Sequence, residues 1–256
     1  MSRHRLLTYN IAHARGLTLH QGLRTETKLR AQLRKIAQLI MKLDADIVAL
    51  QEIDENSRWS GSFDHLAYLR EHTGLEHAVF GLTTRNAGRY HLNYGNAVLS
   101  RLPIAHVENM PFGRGKFGEK GFLFVELESA LGRLPLINLH LHHSSRPQRL
   151  RQITRLMHFI DEKRAHRAHL WHTLPLVCGD FNNPSHVPDA TATLLGYFEQ
   201  DYDYTLLPKA GRTFPSPWPQ RAIDYIFLPQ VCREPQAQVV RSLLSDHRPV
   251  LAEFTL

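Results

Sequence analysis

The sequence predicts a mixed α/β (α+β) fold with at least one buried β-sheet, and three observations predict it. The chain has 256 residues, 43% of them hydrophobic and 21% charged, which suffices for a large core and is ordinary for a globular protein. Eight short apolar runs read as strands, and helical patterns lie between some of them. No repeat, low-complexity tract or linker interrupts residues 1–256, so a single domain is expected.

In chain order, strands are predicted over Arg5–Asn10, Ile47–Gln51, Asn96–Ser100, Phe122–Leu127, Leu134–Leu141, Leu176–Cys178, Ile223–Leu228 and Val250–Phe254. From Thr27 to Leu43, the residues Leu29, Leu33, Ile36, Ile40 and Leu43 recur at helical spacing and predict an amphipathic helix. Phe63–Glu71 predicts a shorter helix, with Gly74 just past it as a C-terminal signal. Leu150, Ile153, Leu156, Met157 and Ile160 mark a third helix, with Pro147 near its start and Pro175 beyond its end. The Gly-, Pro- and base-rich segments Phe112–Gly121 and Lys209–Arg221 read as long loops.

The formal net charge is +7 and the pI about 9.6, which favours anionic partners: nucleic acid, phosphate esters or acidic lipid surfaces. Two cysteines, Cys178 and Cys232, offer no disulfide framework. The basic N-terminus lacks the apolar stretch of a signal peptide, and no run reaches membrane-spanning length. A cytoplasmic protein without stable membrane insertion is expected. No oligomeric state leaves a signature.

The chemistry-bearing residues sit where strands end. Asn10 ends LLTYN, Glu52 follows DIVALQ, His140 closes LPLINLH, and Asp180 follows LPLVCG with Asn182 two residues on. Asp224 and the pair Asp246–His247 instead stand where apolar runs begin. If those later strands run antiparallel to the earlier ones, all these groups meet at one sheet edge.

The stretch INLHLHHSS raises a second reading, a zinc-dependent hydrolase using His140, His142 and His143. Period two puts Asn138, His140 and His142 on one strand face and Ile137, Leu139 and Leu141 on the other. The His-x-His-x-Asp-His motif of metallo-β-lactamase-like enzymes fails on this stretch twice. Asn138 stands where its first histidine belongs and His142 where its aspartate belongs.

The ordered set TYNI, ALQEID, YGNAVLSRLPI, INLHLHH, CGDFNNP, TFPSPWPQRAIDYIF and LSDHRPVLAEF resembles the endonuclease/exonuclease/phosphatase superfamily over about Leu6 to Phe254. That resemblance implies a four-layer αββα sandwich of two mixed sheets flanked by helices, with an active site at one edge. It also implies phosphoester hydrolysis by in-line attack of an activated water, with Mg2+ or Mn2+. Glu52 matches the family's metal-binding glutamate, Asn10 the asparagine beside it, and Asp246 an aspartate near the metal in some members. Asp180 matches the residue that orients or deprotonates water, Asn182 one that holds phosphate and nucleophile, and His140 a histidine donating to the phosphoryl group or leaving group. Asp224 and His247 match the family's carboxylate–histidine pair. Asn96, His143 and Arg58 are carried as substrate-contact candidates.

Three departures stand out: Tyr9 where many members have Trp, Ala12 where abasic-site endonucleases have an aspartate, and Ala222 where relatives often have Arg. They argue against abasic-site repair.

Two substrate classes follow, nucleic acid on the one hand and a phospholipid headgroup or small phosphoester on the other. For the first, Arg146, Arg149, Arg151, Arg155, Lys163, Arg164 and Arg167 form a candidate backbone-contact face. For the second, loops 80–93 and 110–121, with Arg85, Arg89, Tyr90, Arg114, Lys116, Phe117 and Lys120, are expected to shape the choice.

Overall fold

The computed structural model describes residues 2–86, 88, 91–113 and 118–256, with residue 201 as backbone alone. Arg89, Tyr90, Arg114, Lys116 and Phe117 therefore lie outside the described residues. In chain order the strands are β1 (Arg3–Asn10), β2 (Ile47–Asp54), β3 (His77–Asn86), β4 (Leu92–Ser100), β5 (Ile104–Pro111), β6 (Gly121–Ser129), β7 (Gly132–His140), β8 (Leu176–Asp180), β9 (Tyr204–Leu207), β10 (Asp224–Pro229), β11 (Arg233–Val239) and β12 (Val250–Thr255). The helices are α1 (Glu26–Leu43), α2 (His65–Thr73), α3 (Arg146–Arg167) and α4 (Ala190–Asp201).

The strands form two mixed six-stranded sheets, ordered β11-β12-β1-β2-β4-β3 and β5-β6-β7-β8-β10-β9. Within each strand, alternation sends neighbouring side chains to different layers. Leu6, Ile47, Ala49 and Val98 of the first sheet meet Leu123, Val125, Leu136 and Leu176 of the second in a core between the sheets. Leu7, Val48 and Leu50 face the opposite way and pack on Leu29, Leu33, Ile36 and Ile40 of α1 and Leu69 of α2. Ile137, Leu139 and Phe227 do the same against α3 and α4, through Ile153, Leu156, Leu194 and Phe198. The result is the four-layer αββα sandwich.

Each helix begins where its sequence offers a cap. Thr25 Oγ1 accepts from Lys28 N at α1, Asp64 Oδ1 from Ala67 N at α2, and Ser145 Oγ from Gln148 N at α3. Gly74 ends α2 with φ +70°, a left-handed position that suits glycine.

One polar seam crosses the inter-sheet core. Gln51 Nε2 donates to Asn138 Oδ1 (2.7 Å), and Asn138 Nδ2 donates to Leu50 O and Ala97 O (2.9 Å each). Asn96 Nδ2 adds bonds to Gly121 O (3.0 Å) and Asn138 O (3.3 Å). These buried amides find partners on the facing sheet, which fixes how the two sheets register.

Glu126, fully buried on β6, accepts from Arg133, from both Arg167 Nε and Nη2, and from Trp171 Nε1. Burial works against its ionised form, but these donors hold its pKa down at about 2. Because the folded value lies below the unfolded one, this stabilisation is present above about pH 4.5 and fades as pH falls toward 2. Glu126→Gln is expected to cost about 2 kcal/mol, since the two arginines left behind are partly solvated. That corresponds to a melting temperature lower by roughly 4–8 °C at pH 7. Melts at pH 7 and near pH 2.5 check it, and an equal gap at both would contradict the account.

Candidate active site

The strand directions bring the predicted groups together. β1 and β2 run parallel, as do β7 and β8, so Asn10, Glu52, His140 and Asp180 lie toward one edge. His140 and Asp180 are direct register partners. β10 runs antiparallel to β8 and puts Asp224 opposite Asp180. β12 runs antiparallel to β1 and pairs Thr8 with Val250, which returns Asp246 and His247 to the same edge.

Two backbone devices aim the key carboxylates. β2 does not stop at Gln51; its pairing with β4 shifts between Gln51 and Ile53. Glu52 occupies that bulge with φ +52°, and the bulge turns its side chain toward the site. Asp180 follows Gly179, where φ is +142° and an added Cβ would lie 1.9 Å from Leu139 O. Only glycine allows β8 to approach β7 closely there.

Asp180 is the hub. Its Oδ2 accepts from Asn10 Nδ2 (3.0 Å) and lies 3.4 Å from His140 Nε2 and 3.7 Å from His247 Nε2. Its Oδ1 accepts from Asn182 N (2.9 Å). Burial, with the neighbouring Asp224 carboxylate, raises the Asp180 pKa to about 7, against the pull of His247. Asp224 holds His247 Nδ1 at 3.0 Å from both carboxylate oxygens. Burial acts to lower the His247 pKa, but Asp224 and Asp180 outweigh it and push it up to about 10. His247 is thus an imidazolium at neutral pH, with Nε2 facing Asp180.

Glu52 forms a second centre. Lys120 Nζ lies 3.3 Å from its Oε1, His13 Nε2 is 3.6 Å from its Oε2, and His140 Nε2 is 3.9 Å from its Oε1. Burial opposes ionisation of Glu52, but Lys120 and the histidines hold its pKa well below the usual carboxylate range. Lys120 Nζ also donates to His140 Nδ1 (3.3 Å). An ammonium has only donors, so His140 must carry its proton on Nε2, pointing into the gap between Glu52 and Asp180. Burial, then Lys120, keeps His140 neutral.

Other sequence candidates take different places. Asn182 Nδ2 donates to Leu141 O, and Asn96 lies in the polar seam behind Lys120. Asn10 Oδ1 accepts from Ala12 N (3.0 Å). The Asp246 carboxylate pairs with Arg15. His143 is exposed and stacks on His142, whose Nδ1 accepts from Ser144 N and Ser145 N. The predicted zinc trio of His140, His142 and His143 does not converge. Among the described residues, the one set of three His, Cys, Asp or Glu groups whose atoms fall within 4.8 Å of one another is Asp180, Asp224 and His247. Arg58 lies in a short 3-10 turn beside Trp59, lining an open cleft of about 950 Å3 next to the site.

His13, which follows the departing Ala12, also reaches the site although the sequence did not single it out. Its Nδ1 bonds Asp54 Oδ2 (2.7 Å), and its ring sits edge-on to Trp59 and Tyr94. Trp59 Nε1 donates to the other oxygen of Asp54 (2.8 Å). Ala12, His13 and Ala14 all have positive φ, which folds the chain after Asn10 sharply enough to turn His13 toward Glu52. Asp54, two residues past Glu52, was the available signal.

A profile of the Endonuclease/Exonuclease/phosphatase family matches residues 7–247. The chain belongs to that family. Family members are phosphoester hydrolases. The chain is 27% identical over 262 residues to the uncharacterized protein YbhP of Escherichia coli K12, covering 94% of each. Its fold is similar to that of an endonuclease/exonuclease/phosphatase from Beutenbergia cavernae (TM-score 0.75, 20% identity, 100% of this chain and 72% of that one). It is also similar to sphingomyelinase C from Streptomyces griseocarneus (0.70, 19%, 100% of each) and to truncated TDP2 from Caenorhabditis elegans (0.66, 18%, 99% and 98%).

The donor set at Glu52 fits the hard divalent cation that the family implies. Its carboxylate is ionised and partly open to solvent, and a magnesium ion that keeps its waters needs only one or two such oxygens. The Asp180–Asp224–His247 set fits it less well, because His247 Nδ1 engages both Asp224 oxygens, whereas the Lys120 ammonium lies at Oε1 of Glu52.

Proposed function

We propose that this protein is a divalent-metal-dependent phosphodiesterase that cleaves P–O bonds by in-line attack of water. The observation that carries the reading is the polarised pair at the sheet edge. Asp180, with its raised pKa, faces the Nε2 of an imidazolium, His247, that Asp224 anchors. Asp180 takes the proton of the attacking water, and Asn10 Nδ2 fixes the carboxylate for that task. His247 and the His140 Nε2–H supply positive charge and a donor to the developing phosphorane oxygens. Lys120 fixes the His140 tautomer and adds a cation beside Glu52. Mg2+ or Mn2+ held by Glu52, with Asn10 nearby, would polarise the phosphoryl oxygen and offset leaving-group charge. His13, oriented by Asp54, would set the Glu52 carboxylate in place.

The candidate backbone-contact face on α3 is largely taken up by the protein itself. Arg149 bonds Asp189 and His142 O, Arg155 bonds Phe112 O, and Arg146 bonds Pro188 O. Lys163 pairs with Glu108, Arg167 with Glu126, and Arg164 lies over Tyr202. This favours a small or headgroup phosphodiester over a long nucleic-acid duplex. The test is hydrolysis of bis(p-nitrophenyl) phosphate with Mg2+ or Mn2+. Turnover that a chelator abolishes is expected, and chelator-resistant turnover would overturn the proposal.

A further inference from the structure

The loop that leads from Asn10 to α1 carries a feature the chemistry does not use. Leu17, Leu19 and Leu23 are 45%, 93% and 73% exposed. Large apolar side chains so open to water in one short loop mark a contact surface. In the 209–221 loop, Trp218 is 80% exposed. Both loops border the same residue: Arg15 pairs with the Asp246 carboxylate, and Ser216 N donates to Asp246 O (2.7 Å). The exposed apolar residues therefore lie on two loops that meet at Asp246, the residue before His247.

The surroundings of the leucines are cationic. Residues 15–25 contain no acid, and Arg15 and Arg24 bracket the leucines. A shallow cleft of about 460 Å3 joins the loop to α1, with Leu23, Arg24, Lys28 and Lys35 in its walls. Lys28 and Lys35 make no ion pair among the described residues, and neither do Arg34 and Lys42 on the same exposed helix face. Unpaired cations, Lys28 and Lys35, thus line the same cleft as Leu23.

We propose that the Gly16–Arg24 loop, with Trp218 and the basic face of α1, is a membrane-contact surface that seats the catalytic edge on an anionic lipid bilayer. Apolar tips entering the headgroup boundary, flanked by lysine and arginine, match what such a surface attracts and buries. A duplex or strand of nucleic acid would use the cations but leave three leucines in water. The contact is peripheral, since no described helix is long and apolar enough to cross a membrane. Its catalytic meaning rests on the proposed phosphodiesterase reading, with the substrate phosphodiester then presented by the bilayer.

Co-sedimentation with vesicles of 30% phosphatidylglycerol in phosphatidylcholine tests the contact without requiring turnover. The wild type is expected to bind, about tenfold or more tightly than to pure phosphatidylcholine, and to release as salt rises. Leu17→Ser/Leu19→Ser/Leu23→Ser should weaken binding at least tenfold and leave hydrolysis of bis(p-nitrophenyl) phosphate unchanged. Vesicle binding that ignores the leucines, or no binding by wild type, overturns the inference even if soluble turnover is intact. So does a leucine variant that loses only oligonucleotide binding or only self-association. Loss of soluble turnover in the wild type would instead strike the phosphodiesterase reading and leave the vesicle result to stand by itself.

Discussion

Asp180→Asn is expected to slow phosphodiester hydrolysis about a thousandfold, or roughly 4 kcal/mol of transition-state stabilisation. The change keeps size and shape. The two bonds that hold the side chain now fall on different oxygens, Asn10 Nδ2 on Oδ2 and Asn182 N on Oδ1, so the amide oxygen keeps one of them and the NH2 group faces the other donor. What it removes is the capacity to take a proton. The loss should therefore fall on kcat, and the one lost hydrogen bond should lower the melting temperature by only a few degrees. A loss below tenfold would mean that the proton leaves water by another route.

His247→Ala is expected to cost about a hundredfold to a thousandfold, as removal of a preorganised charge does elsewhere, and it should reshape the pH profile. Below about pH 10, His247 is an imidazolium, and the function of that charge is lost as pH rises through 10. Asp180 serves as base only once deprotonated, so activity rises as pH passes about 7. The wild-type profile is therefore a bell with a plateau between these limbs, each limb a property of the coupled pair. In His247→Ala the alkaline limb should vanish. The acid limb should move to higher pH, because the imidazolium is what pulls Asp180 down. Rate profiles from pH 5 to 11 on both proteins check the signs. An alkaline limb that persists in the variant would assign it to another group.

Much of this was legible because burial writes itself into sequence. The eight predicted strands correspond to β1, β2, β4, β6, β7, β8, β10 and β12, which are the interior strands of the two sheets. The four that left no clear run, β3, β5, β9 and β11, are the four edges. An edge strand such as REPQAQV alternates exposed and half-buried residues and needs no continuous apolar stretch. Helix α4, ATATLLGYFEQD, was missed for want of a sharp amphipathic stripe.

At the site, Asp180, Asp224, His140 and His247 were readable as polar residues ending or beginning apolar runs. The bulge at Glu52, the His13–Asp54 pair and the Arg15–Asp246 pair were not. Each depends on a backbone shift or a long-range contact that local pattern does not encode. Asn96, expected at the site, instead bridges the sheets and supports the strand that starts beside Lys120.

In the proposed mechanism a cation held by Glu52 supports hydrolysis at this edge, and turnover of the soluble diester against Mn2+ concentration in wild type and Glu52→Gln tests it. Expected are no turnover without metal, saturable activation in the wild type, and at least a tenfold rise in the Mn2+ needed by the variant. Identical activation curves for the two proteins would contradict it.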